Sequence, residues 1–369
     1  MSVSIFVMTH KAYDEPADPI YRSLQVGRAQ TGAPKDLKYM GDDTGDNISA
    51  ENWLYGELTG IYWLYKNYRE DDIIGICHYR RFFVHKDGSL FSERDYENIL
   101  SEYDIITSNA NMSSLTVRDA YGRSHNIADL IYCGEAIKKL YPQYLSAFET
   151  VLDSHRCCYA NLCVMSHRSF DAYCEWMFSV IFEAAKSVDV SDYDSYHKRV
   201  FGFVSEILLN VWIEKNALKV YEARIGISGE KVETVELKNE IAECIKKGDY
   251  SAGRKAYYDM LKKRPDVRLA QSDISGELPK LEVILYIMEQ EQQNEIRGFS
   301  EVSCEVPGLI RHFDRTVDIL RAIGRGKAGE DDISYILSTN VSAIAAEVIL
   351  RNSDGINGDV VRKVLGINI

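Results

Sequence analysis

Short continuous apolar runs alternate with longer stretches whose apolar positions return every three or four residues through the first two hundred residues or so of the chain. The run IIGIC at residues 73–77, with its β-branched residues, predicts a strand buried on both faces, as in a parallel sheet. SIFVM at residues 4–8 predicts a first strand, and YDIIT at 103–107 and the stretch 158–165 predict two more. Between them, residues 50–68 predict one continuous core helix with Trp53, Leu54, Leu58, Ile61 and Tyr65 on its broad apolar face. Further helices are expected over 95–101, over 127–152 with a break at Pro142, over 169–186, and in the run ILLNVWI that follows Gly202 and Phe203. Residues 12–36 read as loop, because prolines at 16, 19 and 34 interrupt regular structure, and residues 109–129 read as a polar, substrate-facing loop or an ordinary surface excursion. Strands and helices in alternation predict an α/β domain.

From Gly229 onward strand-like runs become scarce and amphipathic helical patterning continues to the end, broken near Gly248, Gly276, Gly298, Gly324 and Gly355. One segment, IAECIKKGDYSAGRKAYYDMLKKRPDVRLA, resembles a single helical-hairpin repeat of the tetratricopeptide kind, and one copy is too few for a solenoid. The expected organisation is therefore an α/β domain at 1–228 and a helical domain at 229–369.

Composition narrows the partners. The chain has 369 residues with 46% hydrophobic and 27% charged, ordinary for a folded globular protein. A formal net charge of -13 argues against general affinity for nucleic acid or for an anionic membrane surface. The N-terminal MSVSIFVMTHK lacks the basic region and small-residue cleavage site of a signal peptide, and no run reaches the length of a membrane span. A cytoplasmic location is expected, with the inner face of the cell membrane as a place of peripheral association. Eight scattered cysteines then read as reduced thiols; Cys157, Cys158, Cys163 and His167 lie close together but match no paired zinc spacing.

The candidate chemistry sits where strands end. His78, Tyr79, Arg80 and Arg81 follow the buried run 73–77, and ligands of open α/β sheets bind outside the carboxyl ends of such strands. Two guanidiniums beside an imidazole suit a phosphate or diphosphate; the same residues also suit an ion-paired surface turn. Thr9, His10 and Lys11 end the first strand in the same way, as ligand contacts or as a capped turn. Asp46, Asn47 and Ser49 precede the helix at 50, where Ser49 fits an N-cap and Asn47 and Ser49 could equally reach a ligand. Tyr121, Arg123 and His125 are acceptor-side candidates in the polar stretch. Asp192 and Asp194 form the only Asp-x-Asp in the chain, a manganese or magnesium pair or else a helix cap. Glu206 lies near a helix start, as a dipole-stabilising carboxylate or as a general base whose pKa is raised by desolvation.

Taken together, IFVMTHK, the DNIS-to-helix entry with ELTGIYWLYKN, CHYRRFF and RVFGFVSEILLNVWI resemble the bacterial polysaccharide-biosynthesis proteins catalogued as a domain of unknown function and regarded as glycosyltransferases. The resemblance covers roughly residues 1–216. It implies a GT-A-like, Rossmann-like domain that binds a nucleotide sugar, a UDP-sugar above all. It also implies transfer to a glycan or lipid-linked glycan acceptor in capsule or exopolysaccharide synthesis, with inversion. The family's motifs fall on Asp46–Ser49, on His78, Tyr79, Arg80 and Arg81, and on Gly202–Glu206. His78 and Glu206 are then the expected catalytic pair, and Thr9, His10, Lys11, Asp46, Asn47, Ser49 and the His-Tyr-Arg-Arg cluster the donor contacts. No cofactor is expected, because the arginines stand where a GT-A fold normally places its metal-binding carboxylates. A nucleotide-sugar-binding or scaffold protein without turnover is the alternative.

Overall fold

The computed structural model describes residues 1–353 and 355–366 and divides into two compact units, 1–228 and 229–369. In the first, eleven strands follow in chain order: β1 (Val3–Thr9), β2 (Tyr21–Gln25), β3 (Met40–Gly41), β4 (Ile73–His78), β5 (Arg81–Phe83), β6 (Ile105–Ser108), β7 (Asn111–Met112), β8 (Arg156–Cys157), β9 (Cys163–Ser166), β10 (Val220–Ala223) and β11 (Ile225–Ile227). Nine of them build one sheet, ordered β10-β6-β9-β4-β1-β2-β3, with β5 and β11 paired beside β4; β7 and β8 form a separate ribbon. β1 runs parallel to β2 and β4, whereas β9 is antiparallel to both of its neighbours, β4 and β6.

Period-two alternation splits β1 and β4 between two cores. Phe6, Met8, Ile74 and Ile76 pack into the larger one, whereas Ile5, Val7, Ile73 and Cys77 pack into the other with Phe83 and Tyr96. Gly75 is the close-packed point of β4, since a Cβ there would lie 2.3 Å from Ile5 Cδ1. The unit's helices are α1 (Asn52–Tyr55), α2 (Leu58–Asn67), α3 (Glu93–Leu100), α4 (Val117–Ser124), α5 (Ile127–Leu140), α6 (Leu145–Asp153), α7 (His167–Ala184) and α8 (Val200–Asn216). Ile61, Leu64, Phe170, Met177, Val204 and Leu208 of α2, α7 and α8 fill the larger core.

Five expectations need correction. The helix foreseen over 50–68 is broken: a 3-10 turn at Ser49–Glu51 and α1 end at Gly56, whose φ of +57° no side-chain-bearing residue adopts cheaply, and α2 restarts at Leu58. Trp53 leaves the core face as a result and is 48% exposed. The loop foreseen at 12–36 holds β2, masked in sequence because its buried side chains include Tyr21, Ser23 and Gln25. The strand foreseen over 158–165 shrinks to β9, because Ala160 and Asn161 take left-handed backbone angles that no strand accepts. The polar stretch 109–129 contains α4, and β10 and β11, unsuspected, complete the sheet after α8.

The second unit is helical throughout its described residues: α9 (Val232–Lys247), α10 (Tyr250–Lys263), α11 (Glu277–Gln293), α12 (Phe299–Val302), α13 (Val306–Gly324), α14 (Glu330–Ser338), α15 (Ala343–Asn352) and α16 (Gly358–Leu365), besides a 3-10 turn at Pro265–Arg268. α9 and α10 form the helical hairpin that the repeat-like segment suggested, with Asp249 capping α10 by accepting from the Ala252 N–H at 3.0 Å. Leu237, Ile241, Tyr257, Leu281, Leu285, Leu309 and Leu320 belong to a core separate from that of the sheet.

Candidate active site

β4 and β5 are joined by the two-residue turn Tyr79–Arg80, and His78 pairs directly with Arg81. Directly paired residues on antiparallel strands project from the same face, so imidazole and guanidinium stand together at the carboxyl end of β4. That face continues Ile74 and Ile76, the side of the sheet that packs into the larger core.

Two carboxylates meet this pair. Glu206 lies in the second turn of α8, and Glu57 sits at the break between α1 and α2. The loop 157–161 ties them together. The Ala160 backbone hydrogen-bonds both Glu206 and His78. Asn161, only 4% exposed, donates from Nδ2 to Glu57 Oε1 at 2.8 Å, to Ser205 Oγ at 2.9 Å and to the Gly202 carbonyl at 3.2 Å. One turn further along α8, Asn210 accepts from the Cys158 N–H at 3.0 Å and donates to the Cys158 carbonyl at 2.8 Å. Gly202, Glu206 and Asn210 are spaced by four residues and share one helix face, which is the face that clamps the loop. Ala160 at φ +78° and Asn161 at φ +51° are consecutive left-handed residues without being glycine. Backbone held in that region costs on the order of 1 kcal/mol or more per residue, and clamping on this scale is what offsets it.

The electrostatics follow from the packing. Burial first, then the neighbouring Glu57 charge, pushes Glu206 from 4.5 up to about 8, against the opposing pull of Arg81 and the Ala160 backbone. Burial also pushes His78 below its ordinary value, with Arg81 adding to the effect and Glu57 opposing it. His78 Nε2 is buried and makes no hydrogen bond to any described residue.

Tyr79 belongs to a second group at the same sheet edge. His10 packs edge-on against its ring at 5.4 Å, Lys11 Nζ lies 5.2 Å over it, and Tyr13 approaches at 6.2 Å with Tyr39 beyond. Thr9 turns inward: its hydroxyl bonds the Lys11 carbonyl at 2.6 Å and N–H at 3.2 Å, and so holds the turn that presents His10 and Lys11. The Arg80 carbonyl accepts from the Ser228 N–H at 3.0 Å, which fixes the hairpin turn against the strand pair β5–β11.

Asp46, Asn47 and Ser49 act on the chain itself. Ser49 is not an N-cap; it is fully buried, bonds the Asp42 carboxylate and accepts from the Ala29 N–H at 3.0 Å, while Asp42 also takes the Gly27 and Arg28 N–H groups. Asn47 Oδ1 accepts from the Ser49 N–H at 3.2 Å, and Asp46 Oδ1 accepts from the Tyr62 hydroxyl at 3.1 Å.

The remaining candidates come together although the sequence separates them. A cavity of about 300 Å³ is lined by Arg123, His125, Asn126, Asp192, Asp194 and His197, among others. His125 stacks on Phe203 at 4.2 Å, and burial, then His197, lowers it to about 4. Tyr121 is buried, with its hydroxyl 3.5 Å from Asp129, and does not reach the surface that the acceptor role requires. As a cation site the Asp pair fits poorly: both Asp194 oxygens already accept from the Tyr196 and His197 N–H groups and the His197 ring, and among the described residues no three His, Cys, Asp or Glu side chains group as a metal would need. The six cysteines of the first unit, Cys77, Cys133, Cys157, Cys158, Cys163 and Cys174, are buried free thiols.

Sequence reasoning missed Glu57 and Asn161. Gly56 inside an apolar helical stretch signals the break that frees Glu57, and Asn161 is the lone amide in the otherwise strand-like YANLCVM.

Residues 4–217, more than half of the chain, match the family described as Domain of unknown function (DUF4422). No curated protein matches. Among solved structures, the apo form of WbbM, a bifunctional glycosyltransferase, superposes with a TM-score of 0.56 and is 29% identical over 63% of this chain and 46% of its own. The chain thus spans under half the length of that protein.

Proposed function

The chain belongs to the DUF4422 family, and we propose that its first unit is a glycosyltransferase of GT-A type that moves a sugar from a nucleotide sugar, a UDP-sugar above all, to a glycan or lipid-linked glycan acceptor. Likeness to a bifunctional glycosyltransferase supports transfer chemistry. The observation that carries the reading is the convergence of His78, Arg81, Glu57 and Glu206 at the carboxyl end of β4, where open α/β sheets bind ligands.

In this reading Arg80 and Arg81 hold the donor diphosphate, with the His10, Lys11, Tyr13 and Tyr79 cluster lying alongside for the nucleoside. Glu206 in its ionised form takes the proton of the acceptor hydroxyl. The acceptor oxygen bonds the anomeric carbon as the carbon–oxygen bond to the diphosphate breaks, in one inverting displacement, and the charge that gathers on the departing diphosphate is met by the guanidiniums. A base with a pKa near 8 is better matched to a sugar hydroxyl than an ordinary carboxylate. His78 stands beside Arg81 at the end of β4, next to the donor diphosphate. Arg123 and His125 bind the acceptor beyond Phe203. Asp46, Asn47, Ser49 and Thr9 shape the donor side by fixing its turns. No step uses a metal ion. The biological setting is surface polysaccharide synthesis at the inner face of the membrane; no single helix among the described residues is long and apolar enough to cross one.

A screen of UDP-, GDP- and dTDP-sugars by thermal shift tests the reading, because a ligand that binds only the folded state raises the melting temperature. One class should stabilise the chain and lose its effect in Arg81→Ala. A chain stabilised by none of them at millimolar concentration is not this enzyme.

A further inference from the structure

We propose that Glu57 and Glu206 form a carboxylate pair, in which Glu57 is the positioning residue that sets when Glu206 can act as base. The inference rests on the glycosyltransferase reading for its catalytic meaning, and on geometry for the pair itself. Glu57 owes its place to the helix break at Gly56. Its carboxylate faces α8 where that helix has no side chain: a Cβ on Gly202 would lie 3.6 Å from Glu57 Oε2. Glu206 follows Gly202 by one turn on the same face. Asn161 Nδ2 binds Glu57 Oε1 at 2.8 Å and the Gly202 carbonyl at 3.2 Å, which holds Glu57 against the helix.

Two carboxylates in a partly dry site do not ionise together readily. Besides Glu57, Arg81 from β5 acts on Glu206 and also on His78 from β4, and Glu206 acts in turn on Cys157 from β8 and on Tyr159 from the loop before β9. Arg81 sets one positive charge against the two carboxylates. Asn161 Nδ2 donates to Glu57 Oε1, and burial, with the Glu57 carboxylate beside it, keeps the proton on Glu206. Glu206 loses it only as the pH approaches 8, or when a hydrogen-bond donor on the bound acceptor relieves the repulsion. Proton transfer from the acceptor hydroxyl is thereby coupled to a filled site.

The test is the titration of Glu206 in the full-length protein labelled with [δ-13C]glutamate, its resonance identified as the one lost in Glu206→Gln. Glu57→Gln retains an oxygen for Asn161 and removes only the charge. The expected result is that Glu206 titrates near pH 8 in the native chain and at least about one pH unit lower in Glu57→Gln, the size expected for removal of a close like charge. With a turned-over donor, the acidic limb of the kcat/KM profile should move down by the same amount. An unmoved Glu206 titration overturns the pair. A moved titration in a protein that transfers no sugar would instead overturn the glycosyltransferase reading and leave the pair standing.

Discussion

Replacing Glu206 by Gln should stabilise the chain in alkaline solution and leave its stability in mild acid nearly unchanged. On folding, the Glu206 carboxyl rises from 4.5 to about 8, so between those values the folded chain binds a proton that the unfolded chain has released. The stability contributed by the protonated group is therefore complete below pH 4.5 and is lost as the pH climbs through 8. At about 1.4 kcal/mol for each pH unit, the interval corresponds to at most about 5 kcal/mol, and partial exposure of the residue and the shared Glu57 charge bring the expected loss to roughly 2 kcal/mol. Glutamine has the shape of the protonated acid and no charge to bury. All four tryptophans, Trp53, Trp63, Trp176 and Trp212, lie in the first unit, so their fluorescence during urea unfolding reads that unit alone. Native and variant chains should have nearly coincident midpoints at pH 4, and at pH 9 the variant should be more stable by about 2 kcal/mol. Parallel pH dependences in the two proteins would refute a buried, proton-holding Glu206.

Arg80→Ala and Arg81→Ala should each weaken UDP binding by about 1.5–3 kcal/mol, the usual worth of hydrogen bonds to charged groups, as read by calorimetry; unchanged affinity in both removes the diphosphate role. Transfer should persist in excess EDTA, and activity lost to chelator and restored by manganese or magnesium would move the site toward Asp192 and Asp194. A chain ending at Ser228 should remain soluble and bind the same nucleotide as the full protein, because the sheet and both cores beside it lie within 1–228; aggregation would place the boundary elsewhere.

What could be read in the sequence was what local pattern determines. β1 and β4 are continuous apolar runs because both of their faces are covered, and that pattern survives translation into one dimension. β2 does not, since Tyr21 and Gln25 face the interior through hydrogen bonds made outside the strand, Tyr21 to the distant Phe91 carbonyl at 2.7 Å and Gln25 to the Pro34 carbonyl in the following loop at 2.6 Å. The same division runs through the site. His78 and Arg81 announce themselves by residue type and by position at strand ends, and Glu206 by its residue type in an apolar helical run. Glu57 and Asn161 become partners only when a helix break and a left-handed turn, more than a hundred residues apart, are brought together by tertiary packing. Ser49 shows the reverse error, a residue with a capping sequence context whose hydroxyl is taken by the buried Asp42.

The central claim is tested most directly by following both products of one reaction. The full chain, the UDP-sugar that stabilises it and a mixture of glycan acceptors should yield one glycosidic bond for each UDP released, and Glu206→Gln should bind the donor as tightly while turning over roughly a hundredfold more slowly or worse, the usual contribution of a general base. A donor that binds and is recovered intact with every acceptor, or a Glu206→Gln chain that works at the native rate, would contradict it.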